Sequence, residues 1–503
     1  MRALVFLGLF SMLFISCLRG NVCRSDVDCF DQLVCQRGLC VVDTSLLEEP
    51  EQADASTKPE TSVKPEWPNK PEALEKPKAV RAGGASDESA SAVAVDSLGN
   101  IYVIGQFEDK ATFGTITLTS SGHSDIFVAK LDNNGNWIWA VKAGGRQPEL
   151  GNAIALDGSG NVYVAGHFAG TATFGATTLT GSGGELFVGK LDSSGSWQWA
   201  IRAVGFAHQS EFSQGIALDG SGNLYVTGRF FSRVTFGTIP TFVSTGASDV
   251  FVAKVSPVGK WLWAVQGGGT SGDYSFAIAA DTSGNTFIAG MFRINAKFGK
   301  TTLKGVDVSR DVFVAKVSAA GKWLWATKAG GAGTEYGYGI AVDKAGNSLV
   351  TGQFAGTASF GSITLTSVSG TDIFVGKVGT SGVWQWVTQA GGAAADVGHG
   401  IAVDPAGNSY VTGEFADKAT FGSLTLTSAG ETDIFVGKVT SNGEWSFAKR
   451  LGGAGDDRGL GLTINSFGNI FVVGQFADTA TFGASILTSS GGSDVFVVRT
   501  SEP

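Results

Sequence analysis

One stretch of the sequence decides the fold: ELFVGKLDSSGSWQWAIR, residues 185–202. Its two ends, residues 185–191 and 197–202, alternate apolar and polar positions and are rich in aromatic and β-branched side chains, which is typical of β-strands. The segment between them, residues 192–196, consists of Asp, Ser and Gly, which favour tight turns. The stretch therefore predicts two antiparallel strands joined by a short turn.

The same pattern returns every 61 or 62 residues from residue 79 onward. A W-x-W pair is present in five copies and becomes Trp445 and Phe447 in the sixth. A G-N-x-[YFL]-V string and a [DE]-x-F-V string occur seven times each; their Asn and Phe residues are Asn100, Asn161, Asn223, Asn285, Asn347, Asn408, Asn469 and Phe127, Phe187, Phe251, Phe313, Phe374, Phe435, Phe496. Several motifs that keep one phase indicate a repeat architecture.

Each repeat is predicted to contain four strands, which in the second copy are 153–157, 161–168, 185–191 and 197–202. Four short antiparallel strands per repeat are typical of a β-propeller blade, so we expect an all-β, seven-bladed propeller. A solenoid is the alternative, but it needs capping repeats that are not visible here. Residues 79–500 resemble bacterial seven-bladed propeller repeats of secreted and surface proteins, and this resemblance implies a fold rather than a ligand.

The repeats are permuted relative to the chain ends. The seventh copy stops before any W-x-W strand, whereas residues 79–84, AVRAGG, match residues 140–145, AVKAGG. We therefore expect residues 79–84 to supply the outer strand of the last blade and close the ring, which removes exposed strand edges.

The N-terminal region carries export signals. Residues 1–16 contain Arg2 and a short apolar run, which favours a removable signal peptide over a membrane span. Residues 14–17, FISC, resemble a bacterial lipobox, and this resemblance implies lipid attachment at Cys17. The alternative is ordinary cleavage near Gly20. With lipidation, we expect the protein in the cell envelope, anchored outside the cytoplasm; with cleavage, we expect it secreted.

The remaining cysteines lie close together within residues 17–43 and are Cys23, Cys29, Cys35 and Cys40. Their clustering predicts a small module with two disulfides of undetermined connectivity. Zinc is the rival, but the spacing lacks C-x2-C pairs and the segment lacks histidine. Residues 44–78, rich in Pro, Glu and Lys, are predicted to form an extended linker.

Composition narrows the function classes. The net charge of −9 argues against nucleic-acid binding, which needs a basic surface. The sequence has no G-x-S-x-G, H-E-x-x-H or P-loop motif, and the four histidines share no motif. We therefore predict no catalytic residues, no cofactor and no metal, and a monomeric propeller.

Two repeated acidic positions need interpretation. The Asp of the Asp-x-x-Gly-Asn strings is predicted to cap its own turn rather than to bind Ca²⁺. Eight residues before each turn stands another acid: Glu88, Glu149, Glu211, Asp273, Glu335, Asp396 and Asp457. Two hypotheses stand for this ring. Either each carboxylate accepts backbone N–H bonds in its Gly-rich loop, or together they form a negative funnel or Ca²⁺ site at one mouth of the channel.

Residues that break the repeat are better candidates for function. Aromatic residues collect in the loops before the innermost strands of copies three to six, and basic residues collect in the insertions of copies three and four. The candidate ligand-binding residues are Phe212, Tyr274, Phe276, Tyr336, Tyr338, His399, Arg229, Arg233, Arg293 and Lys297. Such a sector suits a glycan or a protein loop.

These observations predict a surface-tethered, non-enzymatic binding or scaffold protein that recognises a glycan or protein through one face of the propeller. A purely structural spacer or envelope-assembly subunit is the first alternative. The second is a polysaccharide lyase or hydrolase that uses the ring carboxylates, although equivalent acids do not distinguish a catalytic acid from a base.

Overall fold

A computed structural model describes residues 33–36, 39–42, 78–205 and 212–502. The chain divides into two compact units, residues 1–64 and 65–503. The described residues form strands, turns and loops, and none of them belongs to a helix that could span a membrane.

The first unit contains one described hairpin. Strands β1 (Leu33–Gln36) and β2 (Leu39–Val42) pair antiparallel, and Cys35 and Cys40 are direct partners in their register. Cys17, Cys23 and Cys29 lie outside the described residues, so the lipid anchor and the two disulfides stay predictions.

The second unit contains 35 described strands. In chain order they are β3 (Lys78–Gly84), β4 (Glu88–Val95), β5 (Ile101–Phe113), β6 (Ile116–Leu131), β7 (Trp137–Gly145), β8 (Leu150–Leu156), β9 (Val162–Phe174), β10 (Thr177–Leu191), β11 (Trp197–Arg202), β12 (Val204–Gly205), β13 (Phe212–Leu218), β14 (Leu224–Phe230), β15 (Arg233–Thr235), β16 (Phe242–Val243), β17 (Asp249–Val255), β18 (Trp261–Gly267), β19 (Tyr274–Ala280), β20 (Thr286–Arg293), β21 (Asn295–Phe298), β22 (Thr301–Lys304), β23 (Arg310–Val317), β24 (Trp323–Gly331), β25 (Tyr336–Val342), β26 (Ser348–Phe360), β27 (Ile363–Val378), β28 (Trp384–Gly392), β29 (Val397–Val403), β30 (Ser409–Phe421), β31 (Leu424–Val439), β32 (Trp445–Gly453), β33 (Arg458–Ile464), β34 (Ile470–Phe476), β35 (Thr479–Phe482), β36 (Ser485–Thr488) and β37 (Asp494–Thr500).

The described strands of this unit pair as antiparallel sets of four that follow the sequence repeat. We name them sheet 1 (β4–β7), sheet 2 (β8–β11), sheet 3 (β13, β14, β17, β18), sheet 4 (β19, β20, β23, β24), sheet 5 (β25–β28), sheet 6 (β29–β32) and sheet 7 (β33, β34, β37, β3). The first strand of each set is its innermost strand.

Sheet 7 takes its fourth strand from the start of the described unit. Strand β3 pairs antiparallel with β37, with Val80 opposite Val497 and Ala82 opposite Val495. Its last residues, Gly83 and Gly84, then pair with β5 of sheet 1. The innermost strands of sheets 7 and 1, β33 and β4, also contact each other. Residues 79–84 therefore pair as the sequence predicts.

The W-x-W motif joins neighbouring sheets. The first Trp packs against a hairpin phenylalanine of its own sheet, as Trp323 does on Phe298 at a ring-centroid distance of 5.0 Å. In sheets 3 to 6 its indole N–H donates to the outer strand of the preceding sheet, as Trp323 does to the Gln266 carbonyl at 3.0 Å. The indole N–H of the second Trp donates to the following sheet, as that of Trp325 does to the Thr380 carbonyl at 2.9 Å. These apolar and polar contacts explain why the motif recurs.

The predicted strand limits are too short in the second copy. Its innermost strand begins at Leu150 rather than at residue 153, and β9 and β10 continue into a paired hairpin over residues 169–184. The hairpin is part of the core because Ala172 and Phe174 are fully buried. The sequence predicts a loop insertion between the second and third strands. In this copy the segment instead extends both strands, with alternating buried and exposed residues.

Candidate functional site

Every innermost strand carries a β-bulge at the same place. The pairing with the second strand skips one residue there, as between Gly337 and Gly339 in sheet 5. The skipped residues are Ser91, Asn152, Gln214, Phe276, Tyr338, His399 and Leu460. A bulge leaves its extra residue outside the ladder, so its side chain can vary without disturbing the pairing. The bulge is thus conserved in position while its residue differs in every sheet.

Aromatic residues from adjacent sheets meet at these bulges. Phe276 lies with its ring centroid 6.3 Å from Tyr274, 6.1 Å from Tyr336 and 5.1 Å from Tyr338. Tyr336 and Tyr338 stack at 5.3 Å with an interplanar angle of 12°. Tyr338 lies 5.5 Å from His399. We call these five residues of sheets 4 to 6 the aromatic belt, and the structure brings them together as the sequence predicts.

One end of the belt carries a guanidinium group. The Arg229 guanidinium stacks 3.9 Å from the centre of the Tyr274 ring, which is the distance of a close cation–π contact. Its neighbour His167 is half-buried, and this desolvation together with the Arg229 charge lowers the pKa of His167 to about 4. His167 is therefore neutral at pH 7.

The other end of the belt carries a chain of charged groups. His399 Nε2 lies 3.8 Å from a Glu414 carboxylate oxygen, and the other oxygen of Glu414 lies 3.3 Å from Arg458 Nε. Arg458 also donates to Asp456 at 2.8 Å. The belt is therefore an aromatic strip with a basic group at one end and a mixed ion network at the other.

The belt tyrosines keep polar groups available. Among the described residues, the hydroxyls of Tyr274, Tyr336 and Tyr338 have no hydrogen-bond partner. Burial and the nearby Tyr336 and Glu414 hold the pKa of Tyr338 above its usual range, so this phenol stays protonated. Partly exposed rings with available O–H groups are typical of binding hot spots.

Three basic candidates lie apart from the belt. Arg233 is in the β15–β16 hairpin, Lys297 is in β21, and the Arg293 guanidinium donates to the Val308 carbonyl at 3.1 Å. Phe212 begins β13, but the structure does not describe its side chain, and Glu211 lies outside the described residues. Of the ten ligand-binding candidates, the structure therefore unites Arg229 with the five belt residues and places Arg233, Arg293 and Lys297 on the hairpins.

The repeated acids that the sequence places eight residues before each turn, the ring acids, are buried wherever the structure describes them and do not line an open, solvent-filled funnel. Six of the seven are described, and each is buried; they are Glu88, Glu149, Asp273, Glu335, Asp396 and Asp457. Each accepts the N–H of a glycine four residues earlier, as Asp396 does from Gly392 at 2.8 Å. Their backbone N–H groups donate to carbonyls in, or directly before, the third strand of the preceding sheet. These contacts match the hydrogen-bonding hypothesis for the ring.

Each described ring acid has a second buried carboxylate beside it, which the sequence reasoning missed. This partner is the acidic residue of the [DE]-x-F-V string in the preceding sheet. Asp125 and Glu149, for example, flank the same glycine, Gly144. A basic side chain bonds to most of these partners, as Lys142 does to Asp125 at 2.8 Å. The motif contains the residue, but only sheet packing reveals the pair.

The pair between sheets 5 and 6 has no such cation. Gln389 stands where five other sheets have Lys or Arg and where sheet 3 has Gln266, and Asp372 has one buried oxygen without a partner. Burial raises the pKa of Asp372 to about 6. Burial, with the Asp372 charge as a smaller cause, raises the pKa of Asp396 to about 7. Two carboxylates that share a dry site cannot both ionise easily.

The turn acids are structural, as the sequence predicts. Asp157 Oδ1 accepts the N–H groups of Ser159 and Asn161 at 2.9 and 3.0 Å. Asn465 makes the same two bonds in sheet 7. The repeated lysine supports these turns, as Lys377 does by pairing with Asp343 at 2.9 Å.

Comparison with known proteins agrees with this architecture. Residues 324–353 and 385–414 match the family described as Beta-propeller repeat. These two segments are thus similar to beta-propeller repeats. It is 24% identical over 453 residues to an uncharacterized WD repeat-containing protein of Acanthamoeba polyphaga mimivirus, covering 73% of this chain and 32% of that protein. It is 27% identical over 364 residues to the regulatory protein FlaEY of Caulobacter vibrioides, covering 65% and 36%. The chain spans about a third of the length of these relatives.

Solved structures with a similar chain path have low sequence identity. The WD40 domain of Neurospora crassa Pan2 aligns with a TM-score of 0.40 at 10% identity, covering 82% of this chain and 90% of that domain. BamB from Moraxella catarrhalis aligns with a TM-score of 0.34 at 12% identity, covering 85% of this chain and all of that one.

Proposed function

We propose that the seven sheets are the blades of one closed seven-bladed propeller. The pairing of β3 with β37 supports this architecture, and so does the contact between β33 and β4. In such a ring the bulge residues line the central axis at the face where the aromatic belt lies. The belt then supplies three of these seven bulge residues, and the other four are Ser91, Asn152, Gln214 and Leu460.

The protein functions as a non-enzymatic binding or scaffold protein that holds a segment of a partner protein on the aromatic belt. One observation carries this proposal. Five aromatic or imidazole rings from three adjacent sheets join into one partly exposed strip, at positions where the repeat does not require them. Tyr and Arg are among the residues enriched in interaction hot spots.

The arrangement of the rings favours a protein segment over a glycan. A sugar ring packs against an open aromatic face. Here Arg229 covers a face of Tyr274, and Tyr336 and Tyr338 stack on each other. Ring edges and hydroxyl groups are left for a ligand, and these suit the irregular side chains and amides of a polypeptide.

The buried acids support a non-enzymatic role. A glycosidase or lyase built on the ring carboxylates needs carboxyl groups that reach a substrate. The six described ring acids are buried and bonded to glycine N–H groups instead. The remaining part of the proposal is a location at the cell envelope, with attachment through Cys17.

The proposal predicts that Tyr338→Ala lowers partner capture at least tenfold. The substitution removes the ring that contacts three other belt members, and it leaves the strand pairing intact because Tyr338 is the bulge residue outside the ladder. The measurement is affinity capture from envelope material, with partners quantified against the unchanged protein and the melting temperature recorded for each variant.

Phe467→Ala is the matched control. This aromatic side chain is 44% exposed in the turn after β33, away from the belt. It should leave capture unchanged. Equal capture by the Tyr338→Ala protein, with folding intact, would refute the belt as the binding site and favour a structural spacer.

A further inference from the structure

A second surface lies on the hairpin of sheet 4 and adjoins the aromatic belt at Arg310, whose guanidinium lies 5.8 Å from the centre of the Tyr336 ring. We call residues 293–310 the basic hairpin. It contains five basic side chains, Arg293, Lys297, Lys300, Lys304 and Arg310, and one acid, Asp307, which gives a net charge of +4. The equivalent segment of sheet 1, residues 108–124, has a net charge of −1, and that of sheet 5, residues 355–371, has none. Among these three hairpins, the positive charge is therefore concentrated on that of sheet 4.

The three lysines of this hairpin are not neutralised by the protein. Among the described carboxylates, none forms an ion pair with Lys297, Lys300 or Lys304. Asp307 instead accepts a bond from the N–H of Ser309. The lysine charges therefore face solvent and can act on an anionic partner.

The same hairpin holds an apolar residue in an unfavourable conformation. Ile294 has φ of 65°, in the left-handed region that disfavours β-branched side chains. The equivalent residues of the other six sheets are Asp109, Gly170, Ser232, Gly356, Asp417 and Asp478, which tolerate this region better. The strained backbone holds an aliphatic side chain that is 44% exposed. Strain that persists in this way points to a role for the exposed side chain.

Aliphatic and basic groups lie together on this surface. Ile294, Lys297 and Lys304 line one open groove of about 510 Å³. Gly305 donates its N–H to the Ile294 carbonyl at 2.8 Å, and the loop that follows carries Val306 and Val308. These two valines are 57% and 67% exposed. Three exposed aliphatic side chains thus stand beside three unpaired lysines.

We propose that the basic hairpin docks on the surface of an anionic lipid bilayer. The lysines match the negative headgroups, and Ile294, Val306 and Val308 match the acyl boundary just below them. An acidic polysaccharide or peptide would use the lysines but would gain little from three exposed aliphatic side chains. The combination of charge and aliphatic surface therefore favours lipid.

The test is co-sedimentation with vesicles of phosphatidylcholine, with and without 30% phosphatidylglycerol. The full-length chain is used with Cys17→Ser, so that the expected acyl chain does not contribute, and all variants share this background. We expect binding to the anionic vesicles only. Lys297→Gln with Lys304→Gln should lower the partition coefficient about 30-fold, since each basic residue near such a surface is worth about 1 kcal/mol. Val306→Ser with Val308→Ser should lower it about tenfold.

Two control variants match these changes. Lys322→Gln with Lys344→Gln removes the same charge from turns outside the hairpin, and Val368→Ser removes an equally exposed valine from the uncharged hairpin of sheet 5. Both should bind vesicles as the parent does. The proposal is overturned if the parent does not bind the vesicles or if the control variants lose as much binding as the test variants. It is also overturned if the valine substitutions leave vesicle binding unchanged and the protein binds polyglutamate equally well. None of these results bears on partner capture by the aromatic belt.

Discussion

The second glycine of the Gly-Gly pair that ends an outer strand lies against the backbone of the next sheet. At Gly145, a β-carbon would overlap the carbonyl oxygen of Thr171, and the same overlap arises at Gly331 with Thr357 and at Gly392 with Lys418. The repeat comparison identifies these glycines, but sequence alone does not separate a turn glycine from one needed for close approach. The cause here is the crossing of each outer strand onto its neighbour.

Gly145→Ala should therefore lower the free energy of unfolding by about 2–3 kcal/mol, because the overlapping atom belongs to the backbone and cannot rotate away. Gly158→Ala is the control, since a β-carbon there has nothing within 4 Å. It should change stability by less than about 0.5 kcal/mol. Urea unfolding measures both. Equal stability of the two variants would mean that the sheets can separate at this point without cost.

The strands and turns were largely predictable from sequence, because their signals are local. Alternation of apolar and polar residues identifies the strand of residues 185–191. Asp157 and Gly160 form the turn after β8, as expected. The bulges and the carboxylate pairs were not predictable. Whether Tyr338 is paired or skipped depends on register with β26, and the approach of Asp125 to Glu149 depends on packing between sheets. The membership of the belt was predicted from residues that break the repeat, while its ring contacts required the structure.

The carboxylate pair of Asp372 and Asp396 makes stability depend on pH. Their folded pKa values of about 6 and about 7 lie above the unfolded value of about 3.9. The folded state therefore binds more protons between pH 4 and 7, and the free energy of unfolding falls as pH rises through this range. We expect a lower melting temperature at pH 8 than at pH 5, measured by scanning calorimetry.

Asp372→Asn should raise the melting temperature at pH 8 and reduce its pH dependence, since it removes a buried charge that has no basic partner. Asp433→Asn is the contrasting variant, because Asp433 accepts a 2.8 Å bond from Arg450. It should lower the melting temperature by leaving the guanidinium without its carboxylate. A destabilising effect of Asp372→Asn at pH 8 would show that this pair is ionised and solvated.

At the scale of the whole molecule, the proposed ring depends on one seam between β3 and β37. Ala82 is buried in the core that sheets 7 and 1 share. Ala82→Asp should open the seam, because it places an unpaired charge there. We expect loss of hydrogen-exchange protection in β37 and a larger radius of gyration in X-ray scattering. Ala85→Asp, three residues further along at an exposed position, should change neither. Retained protection of β37 in the Ala82→Asp protein would mean that the ring does not rely on this strand.

The bulge that recurs in all seven innermost strands has a consequence for how such a molecule can diversify. Because the extra residue stands outside the ladder, serine, asparagine, glutamine, phenylalanine, tyrosine, histidine and leucine all occupy it on one scaffold. Substitutions during evolution can therefore change these seven residues while the surrounding strands stay the same, as they do in the binding loops of antibodies. A library randomised only at these positions should yield new specificities without a search for new folds.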